Sequence, residues 1–416
     1  MLTIARAFVL AVLVLAAPVA WAADLAVAKP EQVGMSGERL ARITELMKAD
    51  VEKGRLPGAV AVVARKGRIA YFEAVGFRDR AAGTPLRKDD IFRVYSMTKP
   101  FTSVAVMMLR DEGRFDLTDP ISKHLPELGK LQVGVEKKDP ATGQVTLVLE
   151  PSRRDMTIQD LLRHTSGLTY GVFGSGAVKK LYTENGIDAT DHTNAELVAK
   201  LGKTPLVYQP GTTWEYGRST DVLGRLVEVV SGKTLGQFLD ERVFRPLKMS
   251  DTAFWVPNGK QGRIAEALAA DPDTKRPITL LDVTKPPKYE AGGQGGVSTA
   301  MDYARFSQMM LNRGRLDGVR LVSRKTVELM TADHLGKIDG PLPGYGFGLG
   351  FAVRRETGLA GWPGSAGDYY WGGFAGTFFW IDPKEELIGI WMMQAPGQRV
   401  PYRQAFRSLV LQAIND

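Results

Sequence analysis

Ser96-Met97-Thr98-Lys99, running on into Val104-Ala105-Val106-Met107-Met108-Leu109, decides how this chain is read. The tetrad has the form S-x-x-K, and the apolar run after it has helical character. Residues three apart on a helix share a face. A serine at the helix start therefore has a lysine amine beside its hydroxyl, with the positive end of the helix dipole behind both. That is a nucleophile next to a base. A capped helix with a solvated lysine would read the same way, so the tetrad takes its meaning from the rest of the chain.

Before it, Ser36 is placed to cap a helix in which Leu40, Ile43, Leu46, Met47 and Val51 recur at helical spacing, ending near Gly54. Two strand-like runs follow, Ala59 to Ala64 and Ile69 to Val75, parted by Lys66-Gly67-Arg68, which predicts a β-hairpin. From about 115 to 290 the pattern is one of helices and long polar loops. Thr157-Ile158-Gln159-Asp160 is a capping box, and helices are expected over Asn194 to Leu201, Thr220 to Val230 and Thr234 to Arg245. Residues 256–290 read as loop. Ser298 to Arg313 is helical, stopping at Gly314. Strands then return over Tyr345 to Arg354, Tyr369 to Ile381 and Leu387 to Gln394, the last apolar on both faces and so central. An amphipathic helix, Tyr402 to Ile414, ends the chain. Strands at both ends with helices between predict an α/β (α+β) fold: one antiparallel sheet built from both chain ends, flanked by helices, with a mainly helical subdomain inserted. The sheet domain would span 30–114 and 291–416, and the insertion 115–290.

The 416 residues are 44% hydrophobic and 24% charged, an ordinary globular balance. Arg6, the apolar stretch Ala7 to Ala17 and Ala20-Trp21-Ala22 have the layout of a secretory signal peptide over residues 1–22, the other reading being an uncleaved N-terminal anchor. A periplasmic or secreted protein is expected, with no lasting membrane insertion once that segment is removed. The chain has no cysteine, which excludes disulfides, thiol catalysis and cysteine metal sites. A net charge of +8 is spread without long basic runs, so it reads as solvated surface, and nucleic acid is not an expected partner. No H-E-x-x-H, G-x-G-x-x-G or P-loop is present, so neither a metal nor a nucleotide cofactor is indicated.

Three further segments carry chemistry: Leu161-Leu162-Arg163-His164-Thr165-Ser166-Gly167-Leu168, Trp214-Glu215-Tyr216-Gly217-Arg218-Ser219-Thr220-Asp221-Val222-Leu223-Gly224, and Tyr370-Trp371-Gly372-Gly373-Phe374-Ala375-Gly376-Thr377. With S-x-x-K and Gly295-Gly296-Val297-Ser298-Thr299-Ala300, they make the chain resemble the serine β-lactamase and penicillin-binding-protein-like superfamily, and within it the class C β-lactamase-related branch that holds the family VIII carboxylesterases. The resemblance runs from about residue 30 to the end. It implies Ser96 as acylated nucleophile, Lys99 as its base, Tyr216 as the residue sharing or relaying the proton, and an oxyanion hole made of the backbone N–H groups of Ser96 and Phe374. It also implies substrate contacts from Trp371, Gly372 and Gly373, with Tyr170 nearby. No metal or other cofactor is implied.

Elementary chemistry asks for the same parts. A serine hydroxyl needs its proton removed during attack, and a lysine can take it only as a free amine, which burial and the helix dipole would favour by lowering its pKa. The chain departs from the β-lactamase pattern twice. Tyr216-Gly217-Arg218 stands where Y-x-N is usual, and Trp371 replaces the lysine of K-T-G, which removes a cation that would attract a carboxylate. Both changes favour a neutral ester over a β-lactam. Tyr170, Phe173, Trp371 and Phe374 offer it aromatic walls, and the resemblance implies short acyl chains.

His164 invites a Ser-His-Asp reading, but no G-x-S-x-G elbow exists, and it is expected to close its helix and hydrogen-bond locally. Ser166 and Gly174-Ser175-Gly176 read as turn residues. The expected activity is that of an exported serine carboxylesterase acting on a small-molecule ester, with β-lactams as further ligands. A class C-like β-lactamase or D,D-peptidase, an acyltransferase on the same scaffold, and a non-catalytic binding domain stand as alternatives. Oligomeric state is not readable.

Overall fold

The computed structural model describes residues 25–416, so the signal-peptide segment lies outside the described residues. Strands β1 (Gly58–Arg65), β2 (Arg68–Asp79) and β3 (Thr84–Pro85) come from the front of the chain. Strands β4 (Tyr345–Phe347), β5 (Ala352–Arg354), β6 (Tyr369–Gly372), β7 (Phe378–Asp382) and β8 (Leu387–Met393) come from its end. They form one antiparallel sheet in the order β4-β5-β6-β7-β8-β1-β2-β3, sewn together where Ala59–Arg65 pairs with Met393–Leu387. The predicted central position of Leu387–Met393 is observed, and every residue of that strand is buried.

Alternation along the strands divides the core in two. Val60, Val62 and Ala64 of β1 point with Ile388, Ile390 and Met392 of β8 to one face, and Ala59, Ala61 and Val63 point with Leu387, Trp391 and Met393 to the other. Helix α1 (Gly37–Glu52), capped by Ser36 as expected, and the C-terminal helix cover the second face. On the first lie α2 (Lys99–Asp111), α3 (Ser219–Ser231) and α4 (Ala300–Leu311). The Lys66-Gly67 turn takes φ of 52° and 72°, the left-handed values a tight hairpin needs.

Three readings change. The run Tyr345 to Arg354 is two strands, because Gly350 turns between them at φ +103° where a Cβ would stand 2.4 Å from Ser103 Oγ. Tyr369 to Ile381 is likewise two strands, turning at Gly373–Gly376. The stretch read as helices and loops contains a hairpin, Gln132–Lys138 with Val145–Pro151, whose turn is held by Asp139 accepting from the Ala141 and Thr142 N–H groups at 2.8 Å. Its strands are largely exposed, so their apolar periodicity is weak. Helices Ala177–Glu184 and Arg324–Met330 are also additional to the sequence reading. No helix among the described residues is long and apolar enough to cross a membrane.

Candidate active site

Ser96 does not open the α-helix itself. It sits in a single 3-10 turn, Tyr95–Thr98, and α2 begins at Lys99 with Pro100 in its first turn. Tyr95 is held at φ +44°, a strained value for an aromatic residue, costing about 1–3 kcal/mol. Four hydrogen bonds fix that turn. Thr98 Oγ1 donates to the Tyr95 carbonyl at 2.6 Å and accepts from Gly296 N–H at 2.9 Å. Tyr303 Oη donates to the Met97 carbonyl at 3.0 Å, and Leu281 N–H donates to Tyr95 Oη at 3.0 Å. The G-G-V-S-T segment thus buttresses the Ser96 turn.

Lys99 is fully buried. Its Nζ donates to the Gly293 carbonyl at 2.8 Å, to Tyr170 Oη at 3.2 Å and to Ser96 Oγ at 3.4 Å, and lies 4.4 Å from the centre of the Tyr216 ring. Asp221 Oδ1 holds the same loop by accepting from Gly293 N–H at 3.0 Å. Burial works against the ammonium, but the oxygens of Tyr170 and Tyr216 and the Asp221 carboxylate outweigh it and raise the lysine above its ordinary pKa. The expected lowering is therefore corrected: Lys99 keeps its proton. Tyr170, read from sequence as a pocket wall, is both a wall and the partner of that amine; burial raises its own pKa and keeps the phenol neutral.

Tyr216 makes the shortest polar contact with Ser96, its Oη donating to Ser96 Oγ at 2.7 Å. Trp371 Nε1–H in turn donates to Tyr216 Oη at 3.3 Å. Trp371 is thus more than an aromatic wall: it supplies one N–H where the family pattern has a lysine. Gly217 permits the approach, since a Cβ there would lie 2.4 Å from the Leu168 carbonyl. Arg218, at the place of the missing asparagine, is buried and ion-paired with Asp188 at 2.9 Å.

His164 lies beneath this group, its ring 5.1 Å from Tyr216 and 5.4 Å from Phe347. It does close its helix, at φ +59°. The expected local side-chain hydrogen bond is absent, because both ring nitrogens are buried without a partner. Burial, then the neighbouring Lys99, holds the imidazole well below its usual pKa. Ser166 is structural, hydrogen-bonded to Ser219 Oγ at 2.8 Å.

At the end of β6, Gly373 N–H donates to the Thr377 carbonyl at 2.8 Å and turns the chain back, leaving Phe374 at the rim with its backbone N–H outside the sheet ladder. Ser96 lies in the first turn of its 3-10 helix, where N–H groups have no intrahelical acceptor. Of the two glycines before Phe374, Gly373 is required by backbone and Gly372 leaves room for the Arg403 side chain. A Cβ at Gly373 would lie 2.4 Å from the Val94 carbonyl, and one at Gly372 would lie 2.6 Å from the Arg403 guanidinium.

These groups line one cavity of about 850 Å³, into which Ser96, Tyr170, Phe173, Tyr216, Trp371, Gly372, Gly373 and Phe374 all project. Lys99 stands behind it. Sequence reasoning missed part of the lining. The loop read as a bare connection supplies Thr279, Leu280 and Leu281, and the C-terminal helix supplies Arg399 and Arg403. The loop carries no motif; the arginines had been read as solvated surface. Residue 371 itself carries no cation, but two guanidinium groups flank the same strand end.

The Beta-lactamase family profile matches residues 43–413. Protein Rv1367c of Mycobacterium tuberculosis is 38% identical over 362 residues, covering 82% of this chain and 87% of that protein. Esterase EstB of Burkholderia gladioli is 32% identical over 366 residues, covering 82% and 87%. Among solved structures, EstCE1, described as a hydrolase with promiscuous acyltransferase activity, superposes with a TM-score of 0.74 at 25% identity, covering 91% of this chain and 99% of that one. By family profile, sequence relatives and shared fold, the chain is a serine hydrolase of the beta-lactamase family, on the family VIII esterase branch of the serine β-lactamase and penicillin-binding-protein-like superfamily.

Proposed function

We propose that this protein is an exported carboxylesterase that cleaves short-chain acyl esters through an acyl-enzyme on Ser96. As a family member related to EstB it is a carboxylic ester hydrolase. The observation that carries the mechanism is the 2.7 Å contact between Tyr216 Oη and Ser96 Oγ, with Lys99 Nζ 3.4 Å from the same oxygen.

Reversing that hydrogen bond, so that Ser96 donates, requires Tyr216 to be a phenolate. The buried Lys99 ammonium beside the ring and the Trp371 N–H stabilise that charge. Tyr216 is then the general base and Lys99 the positive charge that maintains it. As Ser96 Oγ bonds to the ester carbonyl carbon, its proton passes to Tyr216. The carbonyl oxygen becomes an oxyanion facing the Ser96 and Phe374 N–H groups, and each such donor is worth roughly 3 kcal/mol. Collapse breaks the bond to the alcohol oxygen, which takes the proton back from Tyr216. Water repeats the sequence on the acyl-enzyme, giving up a proton to Tyr216 and releasing the acid, and the proton returns to Ser96.

The aromatic lining supports a small apolar acyl group of about two to six carbons, a range the family resemblance suggests. The cavity of about 850 Å³ exceeds what such a group fills, which leaves room for an acceptor alcohol and supports acyl transfer as a second activity. The test is a nitrophenyl ester series run beside a chromogenic cephalosporin and a D-Ala-D-Ala peptide, on the wild type and Ser96→Ala. Ester turnover that exceeds both others and vanishes in Ser96→Ala is the expected result. Cephalosporin turnover equal to the best ester would replace the reading with a β-lactamase. Export is tested by N-terminal sequencing of protein expressed with its leader, which should begin after Ala22.

A further inference from the structure

The end of the cavity formed by Gly372, Gly373 and Phe374 faces the first turns of the C-terminal helix α5 (Arg399–Leu411). Arg399 and Arg403 are one turn apart on it, both half-buried and both lining the cavity. Arg399 donates to the Pro396 carbonyl at 2.7 Å, with its guanidinium 5.4 Å from the Phe374 ring centre. Arg403 donates to the Gly373 carbonyl at 2.6 Å, and its Nε is buried without a partner.

Among the described residues neither arginine pairs with a carboxylate. The other cavity and helix arginines behave differently. Arg218 holds Asp188, and Arg407, one turn beyond Arg403, shares the buried Asp368 with Arg354. Asp188, the acidic residue of the cavity lining, is therefore already taken. Like charges one turn apart repel. Burial, reinforced by Arg399, draws Arg403 down to about 10, so the pair sits at a cost that an anion would relieve. Gly372 preserves the arrangement, since any side chain there would occupy the guanidinium's place. Two guanidinium groups on one helix face suit a carboxylate, whose oxygens take parallel N–H donors.

We propose that the ester substrate carries a carboxylate, held by Arg399 and Arg403 at the Gly372–Phe374 end of the active-site cavity. This rests on the esterase reading and reverses the expectation, drawn from Trp371 and the missing Y-x-N asparagine, that neutral esters are preferred. The carboxylate can belong to the acyl group or to the alcohol.

Two matched pairs separate those sources. 4-Nitrophenyl hemiglutarate against its glutaramate analogue places the charge on the acyl side. The butyrate esters of 4-hydroxybenzoate and 4-hydroxybenzamide place it on the alcohol side. The anionic member of one pair should have a kcat/KM at least about tenfold higher, carried mainly by KM and shrinking as salt is raised. Arg399→Gln and Arg403→Gln should each lower that anionic-to-neutral ratio severalfold, with Arg403→Lys keeping part of it. Glutarate binding, read by calorimetry against glutaramide, supplies a signal independent of turnover and should weaken in Arg399→Gln. Esters cleaved with anionic-to-neutral ratios near one in both pairs, or a ratio and a glutarate affinity unchanged in Arg399→Gln, overturn the proposal while leaving the esterase reading intact. Glutarate binding without turnover of any ester would do the reverse.

Discussion

The two walls of the cavity are satisfied in opposite ways. On the inner wall, Ser96, Lys99, Tyr216 and Trp371 spend their polar atoms on one another and on the Gly293 loop. On the outer wall, among the described residues, Arg399 and Arg403 hydrogen-bond to backbone carbonyls and have no counter-ion. Groups that must act on a bond are pre-organised by the protein itself, because reorganisation during the reaction would raise the barrier. Groups that recognise a substrate are left incomplete, and the missing partner describes the ligand. Mutations on the two walls should therefore separate into losses of kcat and losses of discrimination.

The largest effect is expected at the centre of the inner wall. Ser96→Ala should lower kcat by at least about 10⁴-fold with the thermal unfolding midpoint little changed. Ester turnover that persists and requires Ser166 or Ser175 would remove the inner wall's claim to the chemistry. Next come Tyr216→Phe and Lys99→Ala, each costing about 10²–10⁴-fold in kcat with a smaller change in KM. Because the proposed mechanism has Lys99 act through Tyr216, the double variant should lose little more than the worse single one, and full additivity in the double-mutant cycle would contradict that coupling.

Smaller again is Trp371→Phe, which keeps a ring against Tyr216 and removes one N–H donor. A loss of roughly two- to tenfold in kcat is expected, the size of one hydrogen bond. A neutral result would return Trp371 to the role of an apolar wall.

The last prediction concerns stability. His164 is held neutral in the fold by burial and by Lys99, so its folded pKa lies below its unfolded value near 6.5. Below that pH the unfolded chain binds a proton the folded one does not. Stability should then fall by up to about 1.4 kcal/mol per pH unit from this residue. Its contribution is fully present above about pH 6.5 and lost as pH falls toward the folded pKa. His164→Asn, a residue that tolerates the left-handed backbone there, should flatten the slope of unfolding free energy between pH 6 and 4.5 by about one proton. An unchanged slope in urea titrations would mean that His164 is not the group being protonated. His192 and His334, also depressed by burial, remain in both proteins as internal controls.

The inner wall was legible because its chemistry is written in contiguous residues. S-x-x-K, Tyr216-Gly217 and Trp371-Gly372-Gly373 each place a reactive group beside the glycine or helix start that positions it. The outer wall was not, since the meaning of Arg399 and Arg403 lies in the absence of a partner, which no local pattern encodes. The same limit explains the fold. Strand β8 announced itself by seven consecutive apolar or small residues, whereas the hairpin over 132–151 is mostly exposed and carries little periodicity. The proton state of Lys99 was misjudged for a related reason. Burial and the helix dipole argue for a free amine, and only the fold brings Tyr170, 71 residues away, to the ammonium.

The claim on which the rest depends is that Ser96 carries the acyl group. Intact-mass analysis with peptide mapping, after brief exposure to a fluorophosphonate or a slowly turned-over ester, tests it directly. The account predicts a single covalent adduct on the peptide containing Ser96, absent in Ser96→Ala and formed much more slowly in Tyr216→Phe. An adduct on another residue, or ester turnover at full rate from protein blocked nowhere near Ser96, would contradict it.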